Sequence, residues 1–192
     1  MENYIDSTVI IEKDVTIYPP NTILGKTYIK SGTIIYPNNL IVDATIGNNC
    51  KIYSSTISNS TIGNSVNIGP NAHLRQNTVL GNNIRIGNFV EIKNSTILDN
   101  TKIAHLTYVG DAYVGKNCNL GCGVVFCNYD GKTKHKTTLG DNVFVGSNVN
   151  LIAPIYIQDN CFIAAGSTIT KSIQKNTFAI ARAKQIDKPK KD

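Results

Sequence analysis

Charge is scarce in this chain: only 17% of its 192 residues are Asp, Glu, Lys or Arg, against 41% hydrophobic. That balance excludes a disordered polymer and leaves enough apolar side chain for a core. Long hydrophobic runs are missing as well. None approaches the roughly 18 consecutive apolar residues of a membrane-spanning helix, and the opening MENYIDSTVIIEKD has neither the basic nor the apolar region of a signal peptide. The expectation is a soluble, cytoplasmic protein with no membrane partner. Also absent is the dense basic face interleaved with stacking aromatics that nucleic-acid binding requires, so no nucleic-acid partner is expected. The net charge of +6 lies partly in the final KPKKD, and a phosphorylated small molecule accounts for the rest. Cysteine occurs as an odd set, Cys50, Cys118, Cys122, Cys127 and Cys161. Without a secretory signal these read as free thiols in a reducing compartment. The C-x3-C-x4-C spacing over 118–127 matches no zinc motif, and no metal site is expected.

What is present is a period of six. Ile11, Ile17, Ile23, Ile29, Ile35 and Ile41 follow it without a miss, and the register runs on with occasional five-residue steps to Phe126, then from Leu139 to Ile169. Six is not a helical period, because one face of a helix recurs at three, four and seven. It fits a short strand and a corner, repeated. The residue two before each anchor is small or β-branched (Thr27, Thr33, Cys50, Ala72, Thr101, Cys118), as a narrow corner needs. Glycine directly follows many anchors, as at Gly47, Gly63, Gly87, Gly115 and Gly146, which reads as room for the backbone to bend. Asn and Asp fill other corner positions, where they tolerate left-handed geometry.

Three hexapeptides make a triangular coil, and stacked coils make an all-β parallel β-helix, here of about nine coils and roughly 40 Å. One interruption stands out. Between Phe126 and Leu139 an anchor gives way to CNYDGKTKHKTT, predicted to be an extruded loop over about 127–138 with Asp130-Gly131 as its turn. Residues 1–174 are expected to form the β-helix domain and 175–192 a cap and flexible arm.

Assigning anchors to prism faces turns spacing into position. Leu74, Ile92 and Val109 fall on one face in successive coils, so Arg75 and Lys93 stack, with Tyr108 on the next coil and His105 approaching from the neighbouring face. Two stacked cations repel unless an anion lies against them, and phosphate suits Arg and Lys together. His105 is then a base that titrates near neutrality. These residues suggest a phosphorylated substrate presented to a general base.

At these residues the chain resembles the acetyltransferase half of the bifunctional N-acetylglucosamine-1-phosphate uridyltransferase/glucosamine-1-phosphate acetyltransferase, in the hexapeptide-repeat acyltransferase superfamily. The segments that carry the resemblance are IGPNAHLR (68–75), IGNFVEIKNS (86–95), AHLTYVGDAYVG (104–115), NLGCG (119–123), NYDGKTKHKT (128–137), VFVGSNVNLIAP (143–154), IAAGSTIT (163–170) and AIARAKQ (179–185). The resemblance implies a left-handed β-helix that forms a homotrimer and moves acetyl from acetyl-CoA to the 2-amino group of glucosamine 1-phosphate. It implies His105 as base, and Arg75, Lys93, Tyr108, Asn119, Asn128, Tyr129 and Lys134 as substrate contacts. It implies Ser147, Ala165, Arg182 and Lys188 as acetyl-CoA contacts. The backbone N–H of Cys122, in the bend Gly121-Cys122-Gly123, is placed to hold the oxyanion of a direct attack.

The chain departs from that family where it starts almost at the β-helix, so no uridyltransferase activity is expected, and where its arm ends in KPKKD without an aromatic residue. Another amino-sugar phosphate or a nucleotide-linked amino sugar is the alternative acceptor. A non-catalytic trimeric scaffold and a metal-dependent hexapeptide enzyme are the other readings.

Overall fold

The computed structural model describes residues 2–190. Among them every helix or strand assigned is a strand, 29 in all. They form three parallel sheets of ten, nine and ten strands. The first sheet runs from Tyr4–Ile5 to Thr168–Ile169, the second from Ile10–Ile11 to Ile155–Ile157, and the third from Thr16–Ile17 to Phe178–Ala179. The chain visits first, second and third sheet in turn, so each coil is one strand of each; the solenoid is a left-handed β-helix. No helix among the described residues is long and apolar enough to cross a membrane.

The coil has about ten turns rather than nine. The anchor count began at Ile11 and ended at Ile169, but Tyr4–Ile5 pairs with Thr22–Ile23, and Phe178–Ala179 pairs with Phe162–Ile163. The last rung was hidden because its inward residue is Ala179 and not a branched aliphatic. It lies inside the stretch assigned to the cap. Lys191 and Asp192 of the arm fall outside the described residues.

The six-residue period is a stack of inward side chains: Ile23, Ile41, Ile57, Leu74, Ile92, Val109, Phe126 and Leu151 on the first sheet are all 0% exposed. At the corners Thr33, Cys50, Thr101 and Cys118 are buried. The threonines do more than fit. The Thr33 hydroxyl donates to the Gly47 carbonyl at 2.8 Å and accepts from the Cys50 N–H at 3.0 Å, tying one coil to the next. Thr101 repeats this with Gly115 and Cys118. Between second and third sheets, Asn100, Asn117, Asn142, Asn160 and Asn176 all take left-handed backbone, φ from 56° to 62°, and their side-chain amides hydrogen-bond from rung to rung at 3.0–3.1 Å.

Gly69, after the anchor Ile68, takes the positive φ (99°) that a bend needs, but other glycines after the anchors serve a different purpose from the one expected. Gly47, Gly63, Gly87 and Gly115 have no left-handed φ; instead a Cβ at each would press into the backbone of the next coil. They permit close stacking and not a bend. Gly87→Ala should therefore cost about 1–3 kcal/mol, the usual range for overpacking, seen as a lower thermal midpoint. An unchanged midpoint would show that the coils can separate locally without penalty.

The extruded loop lies between the strands Val125–Cys127 and Thr137–Leu139. It is a closed hairpin. Tyr129 and Lys134 bridge antiparallel, and Asp130 accepts from the backbone N–H groups of Lys132 and Thr133 at 2.7 and 2.8 Å. Its other carboxylate oxygen lies 2.6 Å from His135 Nε2. The His135 contact, then the Thr133 and Lys132 N–H groups, hold the Asp130 carboxyl far below the usual carboxylate range.

Candidate active site

Two groups of polar residues flank the first sheet, one at each of its corners. At the corner toward the second sheet, Arg75 and Lys93 are register partners on adjacent coils, as the spacing required. They are not two bare cations, however. Glu91 stands two residues before Lys93 on the same outward face. Its Oε1 lies 2.8 Å from Arg75 Nε and 2.6 Å from a terminal guanidinium nitrogen. The alternation E-I-K carried that signal, and the cation-stacking argument overlooked it.

The strain falls on Lys93. It is 8% exposed, and the loop brings the Lys134 ammonium beside it. That contact, followed by burial and the Lys134 charge, pushes the Lys93 pKa below the ordinary lysine range against the opposing pull of Asp111; Arg75 adds slightly to the depression. A cleft of ≈ 530 Å³ opens here, with Lys93, Asp111 and Lys134 on its walls and Asn59, Asn77 and Asn94 beside them. Its chemistry is that of a site for a small, multiply oxygenated anion.

Tyr108 and Asn128 belong to the same cluster. Asn128 is 6% exposed; its amide donates to Asp111 Oδ2 at 2.5 Å and to the Tyr108 hydroxyl at 3.3 Å, and its carbonyl accepts from His135 N–H at 2.7 Å. Gly110, in register with Lys93, leaves the space into which the Tyr108 hydroxyl and the Asn128 amide fit. Asn94 fixes the other Asp111 oxygen at 2.6 Å. Asp111 and Asn94, neither singled out from the sequence, thus fasten the loop base to the coil. Tyr129 is exposed, its hydroxyl donating to the Gly131 carbonyl at the loop tip.

The second group lines the corner between third and first sheets. His105 ends the strand Lys102–His105 and is exposed. Its Nδ1 lies 2.7 Å from Oδ1 of Asn88, its register partner one coil below. An amide oxygen only accepts, so Nδ1 carries the proton and Nε2 is the free basic nitrogen. Asn88 was another residue missed. Its register with His105 was the available clue.

Above His105 the same corner repeats. Gly123 N–H donates to the His105 carbonyl at 3.3 Å, Asn148 N–H to the Cys122 carbonyl at 2.8 Å, and Gly166 N–H to the Ser147 carbonyl at 2.8 Å. Arg182 caps the series by donating to the Ala165 carbonyl at 2.9 Å. His105, Cys122, Ser147, Ala165 and Arg182 therefore form one line along the prism edge, about 19 Å over four rungs. The Cys122 N–H has no acceptor among the described residues. Asn119 sits on the third sheet in register with Lys102 and Phe144, away from the cations of the first sheet. Lys188 is exposed on the arm, and no hydrogen bond or ion pair among the described residues fixes it.

Cys118 and Cys122 sit at successive corners of one coil, Cys127 ends the strand Val125–Cys127, and all three are free thiols. Burial raises the thiols of Cys50 and Cys118, the latter to about 11, the range of inert thiols. Among the described residues no group of three or more His, Cys, Asp or Glu is arranged to hold a metal ion.

Residues 56–130 match the GMPPB C-terminal domain family and residues 136–171 the bacterial transferase hexapeptide (six repeats) family. Proteins named bifunctional protein GlmU are similar over 96% of the chain: 53% identical in Clostridium acetobutylicum, 54% in Caldanaerobacter subterraneus and 55% in Caldicellulosiruptor saccharolyticus. The chain spans about 40% of the length of these curated relatives. Among solved structures, the UDP-N-acetylglucosamine acyltransferase of Francisella novicida superposes with a TM-score of 0.66 at 20% identity, over 86% of this chain and 62% of that one. A further UDP-N-acetylglucosamine acyltransferase gives 0.62 at 20%, over 88% and 65%. These share the fold.

Proposed function

We propose that this chain, a homologue of the C-terminal part of the bifunctional GlmU proteins, transfers acetyl from acetyl-CoA to the 2-amino group of glucosamine 1-phosphate. The observation that carries the reading is the single edge on which a positioned imidazole, a free backbone N–H and Ser147, Ala165 and Arg182 follow one another. Such an edge offers a track for an extended thioester donor with its reactive end at a base. The adjacent ammonium groups of Lys93 and Lys134 on the cleft wall support a phosphate on the acceptor, with Arg75 one coil away in its ion pair with Glu91.

The chemistry needs no more than these groups. His105 Nε2, oriented through Nδ1–H by Asn88, takes the proton of the sugar amine as its nitrogen attacks the thioester carbonyl. The Cys122 N–H donates to the oxyanion of the tetrahedral intermediate. Collapse forms the amide, breaks the C–S bond and expels the thiolate, which recovers the proton from the imidazolium. No covalent acetyl-enzyme forms, and no step calls for a metal.

The same reading includes a homotrimer. In the corner column that holds His105, the left-handed position is Asn38, Ser54 and Asn71 below and Gly123, Asn148 and Gly166 above, but Phe89 and Leu106 between. A bulky apolar side chain at positive φ is disfavoured, and these two are 56% and 58% exposed. A neighbouring subunit covering them offsets both costs, and it brings a second prism beside His105, where Asn119 of one chain can meet the cations of another. Leu106→Asp should dissociate the assembly in sedimentation and abolish turnover; a fully active monomer removes the shared site.

The deciding assay is thiol release from acetyl-CoA with glucosamine 1-phosphate, beside glucosamine, glucosamine 6-phosphate and UDP-glucosamine. Turnover with the 1-phosphate alone is the expected result. Turnover with another acceptor only keeps the mechanism and changes the substrate, and silence with all four moves the protein to a binding or scaffold role.

A further inference from the structure

Lys93 lies on the first sheet without a carboxylate partner. Glu91 is engaged by Arg75 at 2.6 Å. Both oxygens of Asp111 are taken as well, Oδ1 by the Asn94 amide at 2.6 Å and Oδ2 by the Asn128 amide at 2.5 Å. Among the described residues neither Lys93 nor Lys134 makes an ion pair. What the Lys93 side chain bonds to instead is the Lys134 amine, carried to it by the hairpin.

Two ammonium groups cannot hydrogen-bond to each other, because each offers only N–H donors and no lone pair. The contact forms when one of them has released its proton. Burial decides which: Lys93 is 8% exposed and Lys134 stands exposed on the hairpin, and desolvation disfavours the charged form of the more buried group. The Lys134 contact, burial and the Lys134 charge all push Lys93 in that direction. A lysine that has given up its proton is a nucleophile, and a neighbouring cation is one of the ways a protein makes one. Lys93 also lines the cleft of ≈ 530 Å³ suited to a small oxyanion. An inert anion such as inorganic phosphate draws the proton back, because it neutralises both ammonium groups at once. An anion that is itself an acyl donor meets a lone pair instead.

We propose that Lys93 is an acylation site for acyl phosphates, and that its acetylation shuts the anion cleft. The phosphoryl oxygens of acetyl phosphate lie against Lys134 while the Lys93 Nζ lone pair attacks the carbonyl carbon. The N–C bond forms, the C–O bond to phosphate breaks with its electron pair on the leaving oxygen, and the proton of the amine goes to the departing phosphate. Acetyl-lysine carries no charge, so the modified cleft keeps only one cation of its pair. The donor edge at His105, on the opposite corner of the sheet, is untouched. The consequence for turnover rests on the acetyl-transfer reading above; the modification itself requires only the anion cleft.

The test treats the full chain with acetyl phosphate and, separately, with acetic anhydride, an acyl donor that carries no phosphate, and locates the acetyl groups by peptide mass spectrometry. With acetyl phosphate, Lys93 should be modified about 10-fold faster than the exposed Lys13, Lys51 and Lys171, and excess inorganic phosphate should protect it. Lys134→Met, at an exposed position, should slow acylation of Lys93 by both donors, because Lys93 then holds its proton more firmly. Slowing with acetyl phosphate alone would make Lys134 a phosphate ligand only and overturn the free-amine assignment. Label spread over the exposed lysines with Lys93 last, as burial alone dictates, overturns the proposal, as does label on Lys134 in place of Lys93 or label at Lys93 that phosphate does not prevent. The modified protein should show a raised KM for glucosamine 1-phosphate and an unchanged KM for acetyl-CoA. Selective labelling of Lys93 in a protein that transfers acetyl to no amino sugar keeps the site and removes the transferase reading.

Discussion

His105→Ala should keep the fold and lower kcat by about 10²–10⁴-fold, the loss that follows removal of a general base. The fold survives because the side chain is exposed and its one side-chain hydrogen bond is the 2.7 Å contact with Asn88; the coil is held there by backbone bonds such as Gly123 N–H to the His105 carbonyl. The rate falls because the attacking nitrogen must shed a proton as the amide forms, and without the imidazole no side chain is positioned to take it. Asn88→Ala should give a smaller loss in kcat with little change in KM, because Nδ1 then loses the acceptor that fixes the tautomer. A His105→Ala enzyme with normal kcat would take the imidazole out of the mechanism.

The second large effect belongs to Lys93. Lys93→Met should raise KM for glucosamine 1-phosphate about 10- to 100-fold, the range for losing a hydrogen bond to a charged group, and leave KM for acetyl-CoA unchanged. Its sign in stability is the opposite. Lys93 has a depressed folded-state pKa, so its protonated form is disfavoured by folding. The penalty is complete below the folded pKa and disappears as pH rises through the unfolded value. At neutral pH, therefore, Lys93→Met should be no less stable than the wild type, and inorganic phosphate should stabilise the wild type more than the variant. Binding of the sugar phosphate should weaken as pH rises through the Lys93 pKa, which lies below the usual lysine range. A variant that loses acetyl-CoA and sugar phosphate alike would show that the two corners are not separate subsites.

Much of this was legible in the chain because a six-residue period converts sequence distance into position. Once Leu74, Ile92 and Val109 share a face, Arg75 must lie over Lys93, and the structure pairs them in register. The hairpin at Asp130-Gly131 followed from the one gap in the anchors. What the period could not supply was which outward residues on adjacent coils bond to one another. Glu91 neutralising Arg75, Asn88 orienting His105 and Asp111 holding Asn128 are all contacts between residues 16 or 17 apart, and none changes the anchor pattern. The glycines were misjudged for a similar reason: sequence shows a missing side chain, and only the adjacent coil shows what that side chain would strike.

By itself, then, the sequence determined the solenoid, its three faces and the identity of the residues on each edge, because strand alternation and a fixed repeat leave no freedom in which side chains point outward. The tertiary structure decided which of them meet. It put the cations and the imidazole at opposite corners of one sheet and aligned His105 with the Cys122 turn. It also set Lys134 of the hairpin against Lys93. Those outcomes depend on how coils stack and how the hairpin folds back on them, which are through-space properties of about ten turns together.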